Sequence, residues 1–341
     1  MHFFITGHTG FKGSWLILLL RTLGHNVSGF ALEPLKGGLF ERANLRTDLT
    51  RHFIGDIRDK QLLEKALRVT KPDVAIHLAA QPLVLRSYED PIETYTTNVD
   101  GTRNFLEAIT VLDRPPTSLV VTTDKVYRDS GKAGHRESDP LGGHDPYSTS
   151  KAMADLLTQG WALSNPQLKL FIARAGNVIG AYDISENRLI PDAIRSVTSN
   201  KPIRVRNPQS IRPWQHVLDC LNGYIMYIEA SIRSESMPLI INFGPNPNSA
   251  KRVSDVIRVI QSELATFKVE FDSIPSTVHE TKELSLDSSL AMNLLNWKNE
   301  IDFEESVKMS IAELGDQSPR QLVQNQIDQF LRKAALRGHS K

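Results

Sequence analysis

The stretch HFFITGHTGFKGSWLILLLRTLG (residues 2–24) decides the fold, because it runs from an apolar segment through three glycines into a second apolar segment. Residues 2–6 predict a buried strand, and residues 13–23 predict a helix that ends at Gly24. Glycines between a strand and a helix at this spacing are typical of a turn that binds pyrophosphate. The first permits a sharp turn, the second lets backbone amides approach the phosphates, and the third lets the helix pack on the sheet. The predicted dinucleotide contacts of this turn come from Gly7, Thr9, Gly10, Phe11, Lys12 and Gly13.

Short apolar runs and helical patterns alternate through the first half of the chain. This alternation predicts an α/β fold in which helices cover both faces of a Rossmann-type, doubly wound parallel sheet. Strands are predicted at residues 26–32, 52–55, 73–79, 118–122 and 168–173. Helices are predicted at residues 59–69, after Pro91 and at residues 147–163.

The character of the sequence changes after about Asn177, where prolines interrupt short segments. The chain is too long for one simple core, so we predict a NAD-binding Rossmann domain and a smaller, mixed α/β C-terminal lobe that binds substrate. The predicted Rossmann domain covers residues 1–176, with a returning segment near residues 214–243. The predicted lobe covers residues 177–213 and 244–341, and we expect its last helix, from Arg320, to be solvated.

Composition argues against several classes of function. The formal net charge of +1 gives no sign of a nucleic-acid partner or of an anionic membrane surface. The lone Cys220, which we expect to be buried, excludes an internal disulfide and the cysteine-rich zinc modules. The histidines lack metal-ligand spacing, so we expect no metal. The apolar run at residues 15–20 is too short to span a bilayer and lacks the flanks of a signal peptide. It predicts a buried helix face in a cytoplasmic protein.

The residues after the second predicted strand bear on the choice of dinucleotide. An acidic residue normally ends this strand and binds the adenosine ribose, but Ala31 and Leu32 stand here and Glu33 lies just beyond. No arginine that could meet a 2′-phosphate adjoins them, although Lys36 is near, so we favour NAD over NADP. The remaining predicted cofactor positions, with the first two at the adenine, are Asp56, Ile57, Leu78, Ala79, Ala80, Gln81, Asn98 and Thr122.

Tyr147 and Lys151 stand four residues apart, on one face of a predicted helix. A lysine ammonium near a phenol favours the phenolate and lowers its pKa from about 10, and a nicotinamide cation acts in the same direction. The pair therefore predicts a base that takes a hydroxyl proton while hydride leaves the adjacent carbon. This spacing is common by chance, and its place downstream of a glycine turn is what favours catalysis. Both residues are also predicted to contact the cofactor.

A second polar cluster, Thr123-Asp124-Lys125, follows a buried strand. The carboxyl ends of strands are where ligands bind in such sheets. Thr123 is placed to hydrogen-bond the hydroxyl that is oxidised, and Asp124 and Lys125 add an acid–base pair beside it. An elimination needs two such extra groups. An epimerase or decarboxylase, or a binding protein that has lost its chemistry, does not need them, and these remain the alternatives.

Seven longer motifs make the chain similar to a known family. It resembles the extended short-chain dehydrogenase/reductases, and within them the nucleotide-sugar 4,6-dehydratases of the CDP-glucose group. The resemblance covers nearly the whole chain and implies that Thr123, Asp124, Lys125, Tyr147 and Lys151 are catalytic. Related dTDP- and GDP-sugar dehydratases carry glutamate where Lys125 stands. The motifs are GHTGFKGSWL (7–16), HLAAQPLV (77–84), TTDKVY (122–127), LGGHDPYSTSKA (141–152), ARAGNVIG (173–180), RLIPD (188–192) and RNPQSIRPWQHVLD (206–219).

The resemblance implies conversion of an NDP-hexose, most closely CDP-D-glucose, to a 4-keto-6-deoxy sugar. Tyr147 would take the 4-hydroxyl proton while NAD accepts hydride from carbon 4 and later returns it to carbon 6. Asp124 would protonate the departing 6-hydroxyl. Lys125 is the candidate base at carbon 5, which requires a neutral amine; a protonated Lys125 would instead stabilise the enolate.

Predicted substrate contacts lie in the C-terminal lobe. Arginines grip diphosphates bidentately, and four fall within a short span of that lobe. Two further residues follow from the resemblance, and Trp214 and His216 are expected near the base or holding the loop. The full set is Asn177, Arg188, Leu189, Arg204, Arg206, Arg212, Trp214 and His216. After Gly180 the chain departs from the family pattern, with Ala181-Tyr182-Asp183 where relatives carry further glycines and a tryptophan. The expected partners are a nucleotide-sugar substrate and a second copy, as a homodimer or homotetramer paired through the helices after Pro91 and at Tyr147.

Overall fold

The computed structural model describes residues 1–128, 134–205, 207–234, 236–245, 250–271 and 285–338. Its strands are β1 His2–Thr6, β2 Asn26–Ala31, β3 Arg51–Ile54, β4 Val74–His77, β5 Thr117–Thr123, β6 Leu170–Ala175, β7 Val178–Ile179, β8 Ile203–Val205, β9 Ile211–Arg212, β10 Gln215–His216, β11 Ile240–Phe243, β12 Lys251–Arg252 and β13 Val269–Phe271. Its helices are α1 Phe11–Thr22, α2 Leu39–Arg42, α3 Lys60–Thr70, α4 Val84–Glu89, α5 Pro91–Tyr95, α6 Gly101–Thr110, α7 Pro146–Ser164, α8 Leu189–Ser199, α9 Val217–Arg233, α10 Val253–Glu263, α11 Ser289–Leu295, α12 Phe303–Ile311 and α13 Pro319–Gly338. Among these helices, none is both long and apolar enough to cross a bilayer.

A parallel sheet forms the centre of the protein. Within the described residues its strands lie in the order β3–β2–β1–β4–β5–β6–β11, and every neighbouring pair is parallel. The apolar side chains of α1 and α9 pack on one face, and those of α3 and α6 pack on the other. The predicted Rossmann-type, doubly wound fold is therefore confirmed. The strand order changes direction between β1 and β4, and ligands bind at such a point in this class of sheet.

Helix α1 begins at Phe11 rather than at residue 13. The amide of Ser14 donates to the Gly10 carbonyl at 2.9 Å, so the helical hydrogen bonds start inside the glycine turn. Residues 15–20 are at most 2% exposed, so this run is buried on every side of the helix rather than on the single face expected. Cys220 is also fully buried, as expected.

The helix predicted after Pro91 is interrupted by a π-helical turn, Thr96–Asp100. Asn98 lies in this turn and is 1% exposed. Its amide oxygen accepts the Gln81 N–H at 2.8 Å, and its amide nitrogen donates to the Gln81 carbonyl at 3.1 Å and to the Ser150 hydroxyl at 2.9 Å. The π turn thereby ties the segment after β4 to α7, in keeping with the frequent occurrence of such turns near functional sites.

The smaller lobe has its own apolar core. Side chains from β8, α8, α10 and α12 form one buried cluster that includes Ile190, Ile203, Ile257 and Val307. The segment predicted to return to the Rossmann domain, near residues 214–243, contributes α9 and β11. Strand β11 pairs with β6 and extends the sheet at its edge.

The C-terminal part differs from the predicted division. Helix α13 was expected to be solvated, but Val323, Ile327 and Phe330 are at most 1% exposed and belong to the same cluster as α1. Their spacing places them on one face of the helix, and Arg320 anchors its start through an ion pair with Asp48 at 2.6 Å. Helices α11 and α13 therefore pack on the Rossmann domain, and only part of residues 244–341 builds the lobe.

A buried ion pair joins α7 to the sheet. Arg174 on β6 is 1% exposed and Asp155 on α7 is 0% exposed, and two bonds of 2.7 and 2.9 Å connect them. The Thr122 hydroxyl donates to the same carboxylate at 2.8 Å. Such a pair adds little net stability over apolar packing, but removal of one partner leaves an uncompensated charge in the interior.

We expect Asp155→Ala to lower the free energy of unfolding by about 3–5 kcal/mol, because Arg174 is left buried and unpaired. The control is Glu64→Ala, which breaks the exposed Arg68–Glu64 pair of 2.9 Å on α3 and should cost at most about 1 kcal/mol. Urea unfolding of both variants measures the difference. Equal losses would contradict the structural role of the buried pair.

Candidate active site

A cavity of about 1320 Å³ runs along the carboxyl ends of the strands. Its walls combine the glycine turn, the segments after β2 and β4, the start of α7, and residues 175–191 of the lobe side. Pockets that hold one small ligand usually measure about 300–1,000 Å³. This cavity therefore has room for a dinucleotide and a second ligand beside it.

The glycine turn packs against the end of β4 with no space for side chains. Gly7 has φ +75°, and a Cβ on it would lie 2.7 Å from the Ala79 nitrogen. A Cβ on Gly13 would lie 2.4 Å from the Gly7 carbonyl oxygen. The glycine turn, residues 7–13, is thus a cradle of backbone atoms, and the N-terminus of α1 faces the cavity. This arrangement fits a pyrophosphate.

The other residues of the turn have distinct contacts. The Thr9 hydroxyl donates to the Leu32 carbonyl at 3.0 Å and fixes the turn against the end of β2. The Lys12 ammonium donates to the buried Tyr224 hydroxyl at 3.2 Å, while Lys12 also lines the cavity. Lys12 therefore brings a positive charge to the cavity floor.

The predicted adenine end of the cavity carries an ion pair. Asp56 and Arg58 form several hydrogen bonds, the shortest of 2.6 Å. The bonds from Arg58 hold the pKa of the Asp56 carboxyl below its ordinary value. Ile57 lines the cavity, and its carbonyl is held by the Asn104 amide at 3.1 Å. Glu33, just after β2, also lines the cavity.

The segment after β4 lines the cavity, as predicted for residues 78–81. Asn98 does not lie on the lining, because both ends of its amide hold Gln81 and Ser150 from behind. It is therefore a residue that shapes the cofactor wall rather than one that faces it. Thr122 lies on the lining, with its hydroxyl bonded to Asp155.

Asp124 is a buried acid behind the cavity wall: its neighbours Thr123 and Lys125 line the cavity, but Asp124 itself does not. It is 1% exposed; one carboxyl oxygen accepts the Thr123 hydroxyl at 2.8 Å, and the other has no hydrogen-bond partner in the part of the chain that the structure describes. Burial raises the pKa of the Asp124 carboxyl above its ordinary value, although Lys125, Thr123 and Arg212 oppose the shift. A carboxyl in this state keeps its proton to higher pH and can donate it to a leaving group.

Tyr147 and Lys151 are both buried at the start of α7, but their electrostatics differ from the expectation. Burial raises the pKa of Tyr147 to about 12, against the downward pull of the Thr123 hydroxyl and the charge of Arg188. Lys151 is not among the groups that shift the Tyr147 pKa, and its ammonium donates to the Val121 carbonyl at 2.9 Å.

Lys151 binds its proton more weakly than an ordinary lysine does. Burial lowers its pKa to about 8, the nearby charge of Lys12 adds to the shift, and Asp155 opposes it. At neutral pH the ammonium form still predominates. The ammonium groups of Lys12 and Lys151 therefore both lie at the cavity floor. There they stabilise negative charge that develops in a bound ligand.

Five predicted substrate residues lie on the cavity wall: Asn177, Arg188, Leu189, Arg212 and Trp214. Arg188 is 38% exposed at its side chain and lies 3.7 Å from the Asp183 carboxylate. Trp214 is 8% exposed, and its indole N–H donates to the Lys251 carbonyl at 3.1 Å, so it also secures the loop.

Two predicted substrate residues lie away from the cavity, and a third cannot be placed. Arg204 on β8 is 76% exposed and pairs with Glu270 on β13, 3.6 Å away, because the pairing of β8 with β13 turns it outward. His216 is 0% exposed and caps α9 by accepting the Leu218 N–H at 3.3 Å. Neither is retained as a substrate residue. Arg206 lies outside the described residues.

Several residues near the site had not been predicted. Tyr127 and His135 stack with ring centroids 4.8 Å apart, and both line the cavity. Asp155 follows Lys151 by four residues, so helical spacing could have placed it on the same face. The described ranges contain no group of three or more His, Cys, Asp or Glu side chains that could hold a metal ion.

The loop after Gly180 also makes contacts with residues that are distant in the chain. Tyr182 has φ +63°, a left-handed conformation that costs a non-glycine residue about 1–2 kcal/mol. Its N–H donates to Glu313, and the Arg42 guanidinium lies over its ring, 4.7 Å from the centroid. No local sequence signal connects these three positions, because they are far apart in the chain.

Comparisons with known proteins identify the family of the chain. A family model described as GDP-mannose 4,6 dehydratase matches residues 4–310. The chain is 43% identical over 312 residues to CDP-glucose 4,6-dehydratase from Salmonella typhimurium, covering 86% of this chain and 85% of the relative. It is 26% identical over 315 residues to UDP-glucose 4-epimerase from Halalkalibacterium halodurans, covering 87% and 90%. A solved dTDP-glucose 4,6-dehydratase from Bacillus anthracis, in complex with NAD, has a TM-score of 0.78 at 22% identity, covering 94% of this chain and 99% of that one.

Two matched glycine variants test the cradle. In Gly13→Ala the new Cβ meets the backbone of Gly7 and His8 at 2.4 and 2.6 Å, so the turn must open. In Gly160→Ala, on α7 and outside the turn, the new Cβ has no atom within 4 Å, so nothing has to shift. Overpacking costs about 1–3 kcal/mol, which corresponds to about 5- to 150-fold in affinity. Titration with NADH should show this loss for Gly13→Ala but not for Gly160→Ala; equal affinities would refute the cradle.

Proposed function

The chain belongs to the family described as GDP-mannose 4,6 dehydratase, and from this premise we propose that it is a nucleotide-sugar 4,6-dehydratase acting on CDP-D-glucose. The product is the CDP-4-keto-6-deoxyhexose, formed by loss of water. The observation that carries this proposal is the Asp124–Lys125 pair beside the Thr123 and Tyr147 hydroxyls, because elimination needs an acid and a base beyond those of hydride transfer. The identity of 43% to a CDP-glucose 4,6-dehydratase supports the same substrate.

NAD is the cofactor of the proposed reaction. The backbone cradle of Gly7 and Gly13 would hold its pyrophosphate, and Ile57 and the segment at residues 78–81 would flank its adenine and its nicotinamide-side ribose. Glu33 on the cavity lining offers a carboxylate to a ribose hydroxyl and would repel a 2′-phosphate. When bound, NAD accepts a hydride from carbon 4 of the hexose and returns it to carbon 6.

Tyr147 is the proposed base at the 4-hydroxyl, and Thr123 is the hydrogen-bonding group beside it. The buried phenol holds its proton strongly, with a pKa of about 12. Positive charge near the phenol is therefore needed to make it a base, and Arg188 already acts in that direction. Lys151, one helical turn along α7, keeps a further ammonium under the same part of the cavity.

Asp124 and Lys125 carry the proposed elimination. A ketone at carbon 4 acidifies the proton on carbon 5, and Lys125, which lines the cavity, would remove it or stabilise the enolate that forms. Burial raises the pKa of the Asp124 carboxyl, which favours its protonated form, and Asp124 would give that proton to the departing 6-hydroxyl. The acid and the base are thus supplied by adjacent residues.

The diphosphate and the base of the substrate are assigned to the lobe side of the cavity. Arg188 and Arg212 both line it and offer planar guanidinium groups to the diphosphate. Asn177, Leu189 and Trp214 complete this part of the wall. The charge of Arg212 also reaches Asp124, whose pKa it pulls down.

The main rival is a nucleotide-sugar epimerase or decarboxylase, and one relative is a UDP-glucose 4-epimerase. A second is a NAD-binding protein without catalysis. The buried acid at Asp124 argues against both, because neither needs a proton donor for a leaving hydroxyl. Incubation with CDP-, dTDP-, GDP- and UDP-glucose distinguishes the three functions. We expect a 4-keto-6-deoxy product, formed from CDP-glucose at the highest rate. An epimerised hexose, or no product from any of the four, would refute the proposal.

Two variants separate the proposed steps. Tyr147→Phe should reduce product formation by roughly 10²–10⁴-fold, and it should also abolish exchange of the carbon-5 hydrogen with deuterated solvent. Asp124→Asn should reduce product formation to a similar degree but preserve that exchange, because the carbon-5 proton is removed by another residue. Mass spectrometry of recovered substrate measures the exchange. Loss of exchange in Asp124→Asn would show that Asp124 does more than protonate the leaving hydroxyl, and would contradict this assignment.

We further propose that the protein is a homodimer, with a homotetramer as the larger alternative. Adjacent helices α5 and α7 present apolar side chains at the surface, including Ile92 at 71% and Leu163 at 80% exposure, with Leu156 on the same helix as Leu163. Exposed apolar groups of this kind mark association surfaces. A cytoplasmic location, where the substrate class and NAD are made, is also part of the proposal.

A further inference from the structure

We propose that residues 180–188, which we call the strap, retain the dinucleotide, and that Arg42 and Glu313 are positioning residues which hold the strap closed through Tyr182. The inference rests on the proposed function, in which the cofactor is regenerated on the enzyme and has no need to leave. The strap includes the three positions where the sequence departs from the family pattern.

The strap contacts the helices on two sides of the cavity. On one side the Trp15 indole N–H donates to the Ala181 carbonyl at 3.0 Å, and a Cβ on Gly180 would lie 3.2 Å from the Phe11 ring. These contacts attach it to α1. On the other side Ile184 lies against Gly38, at the start of α2. The strap therefore joins α1 to α2, and it lines the same cavity as the turn that fits a pyrophosphate.

Tyr182 is the point at which the strap is fixed. It is 1% exposed and adopts φ +63°, which a tyrosine does not favour without compensating contacts. Glu313 accepts its backbone N–H, and Arg42 on α2 covers its ring. The tyrosine hydroxyl has no hydrogen-bond partner among the described residues. The ring and the backbone of Tyr182 thus carry the attachment, and the hydroxyl does not.

Charges around the strap support this arrangement. Burial raises the pKa of Glu313 to about 7, the Tyr182 N–H and Arg42 oppose the shift, and Asp183 adds to it. Arg42 therefore does two things at once: it lies over the tyrosine ring and stabilises the carboxylate that accepts the tyrosine N–H. Further along the strap, Asp183 accepts the Ser185 N–H at 3.0 Å and lies 3.7 Å from Arg188.

In the proposed arrangement, release of a dinucleotide from the glycine turn requires the strap to move away from α1 or α2. Removal of the Arg42 charge weakens the attachment at α2 without touching a residue that lines the turn. The dissociation rate of the dinucleotide should therefore rise. Its association rate should change less, because the cradle itself is intact.

The experiment uses the full chain with bound NADH and follows energy transfer from tryptophan to NADH while excess NAD displaces it in a stopped-flow instrument. Arg42→Gln should raise the dissociation rate about tenfold, the loss expected for a cation–π contact in a partly desolvated site. Glu313→Gln should raise it to a smaller extent, since the amide can still accept the Tyr182 N–H. Arg42→Lys should restore most of the retention, because an ammonium can also lie over the ring.

Two further variants serve as controls. Tyr182→Phe should keep the rate of the unsubstituted protein within about twofold, because the hydroxyl has no partner. Arg114→Gln removes an exposed arginine in the loop before β5, at the amino ends of the strands and away from the cavity, and should also leave the rate unchanged. An Arg42→Gln rate within twofold of the unsubstituted protein, in a chain with unchanged thermal unfolding, overturns the inference. Failure of the unsubstituted chain to bind NADH would instead overturn the proposed function.

Discussion

The guanidinium of Arg174 holds together the strands and the helix that carry the proposed catalytic residues. It binds Asp155 on α7 through two bonds, and it donates to the Tyr127 hydroxyl at 2.8 Å. Asp155 in turn holds Thr122 at the end of β5, and Tyr127 donates to Asn242 on β11 at 2.7 Å. One buried cation therefore fixes three strands and the catalytic helix relative to one another. The burial of the Arg174 charge is tolerated because Asp155 and Tyr127 are themselves buried and both bind the guanidinium.

Burial shifts the pKa values of an acid and of a lysine near the cavity in opposite directions. Asp124 lies in a buried position that raises its pKa, while Lys151 lies in one that lowers its pKa to about 8. Burial that raises the pKa of a carboxyl or lowers that of a lysine brings either group closer to the pH at which an enzyme works. Tyr147, with its pKa raised to about 12, is the group that most needs added positive charge before it can act. The site is thus arranged for charge that develops during the reaction.

The sequence predicted the sheet, the glycine turn and the catalytic cluster because each has a local pattern. It could not predict Arg174 or Glu313, whose partners lie far away in the chain and meet them only after folding. Local spacing also misplaced Arg204, because charge alone does not say which way a strand faces. The role of Asn98 in holding the wall from behind depends on a π-helical turn, which apolar periodicity cannot reveal. The raised pKa of Tyr147 is likewise a result of burial, which the tyrosine–lysine spacing does not report.

In the proposed mechanism one site oxidises carbon 4 and then delivers the same hydrogen to carbon 6 while water is lost. CDP-glucose that carries deuterium at carbon 4 tests this transfer most directly, with the position of the label in the product read by mass spectrometry and NMR. We expect a 4-keto-6-deoxy product that keeps the deuterium, at carbon 6, with no net formation of NADH. Deuterium found at carbon 4 of a hexose that still has its 6-hydroxyl, or lost to free NADH, would rule the transfer out.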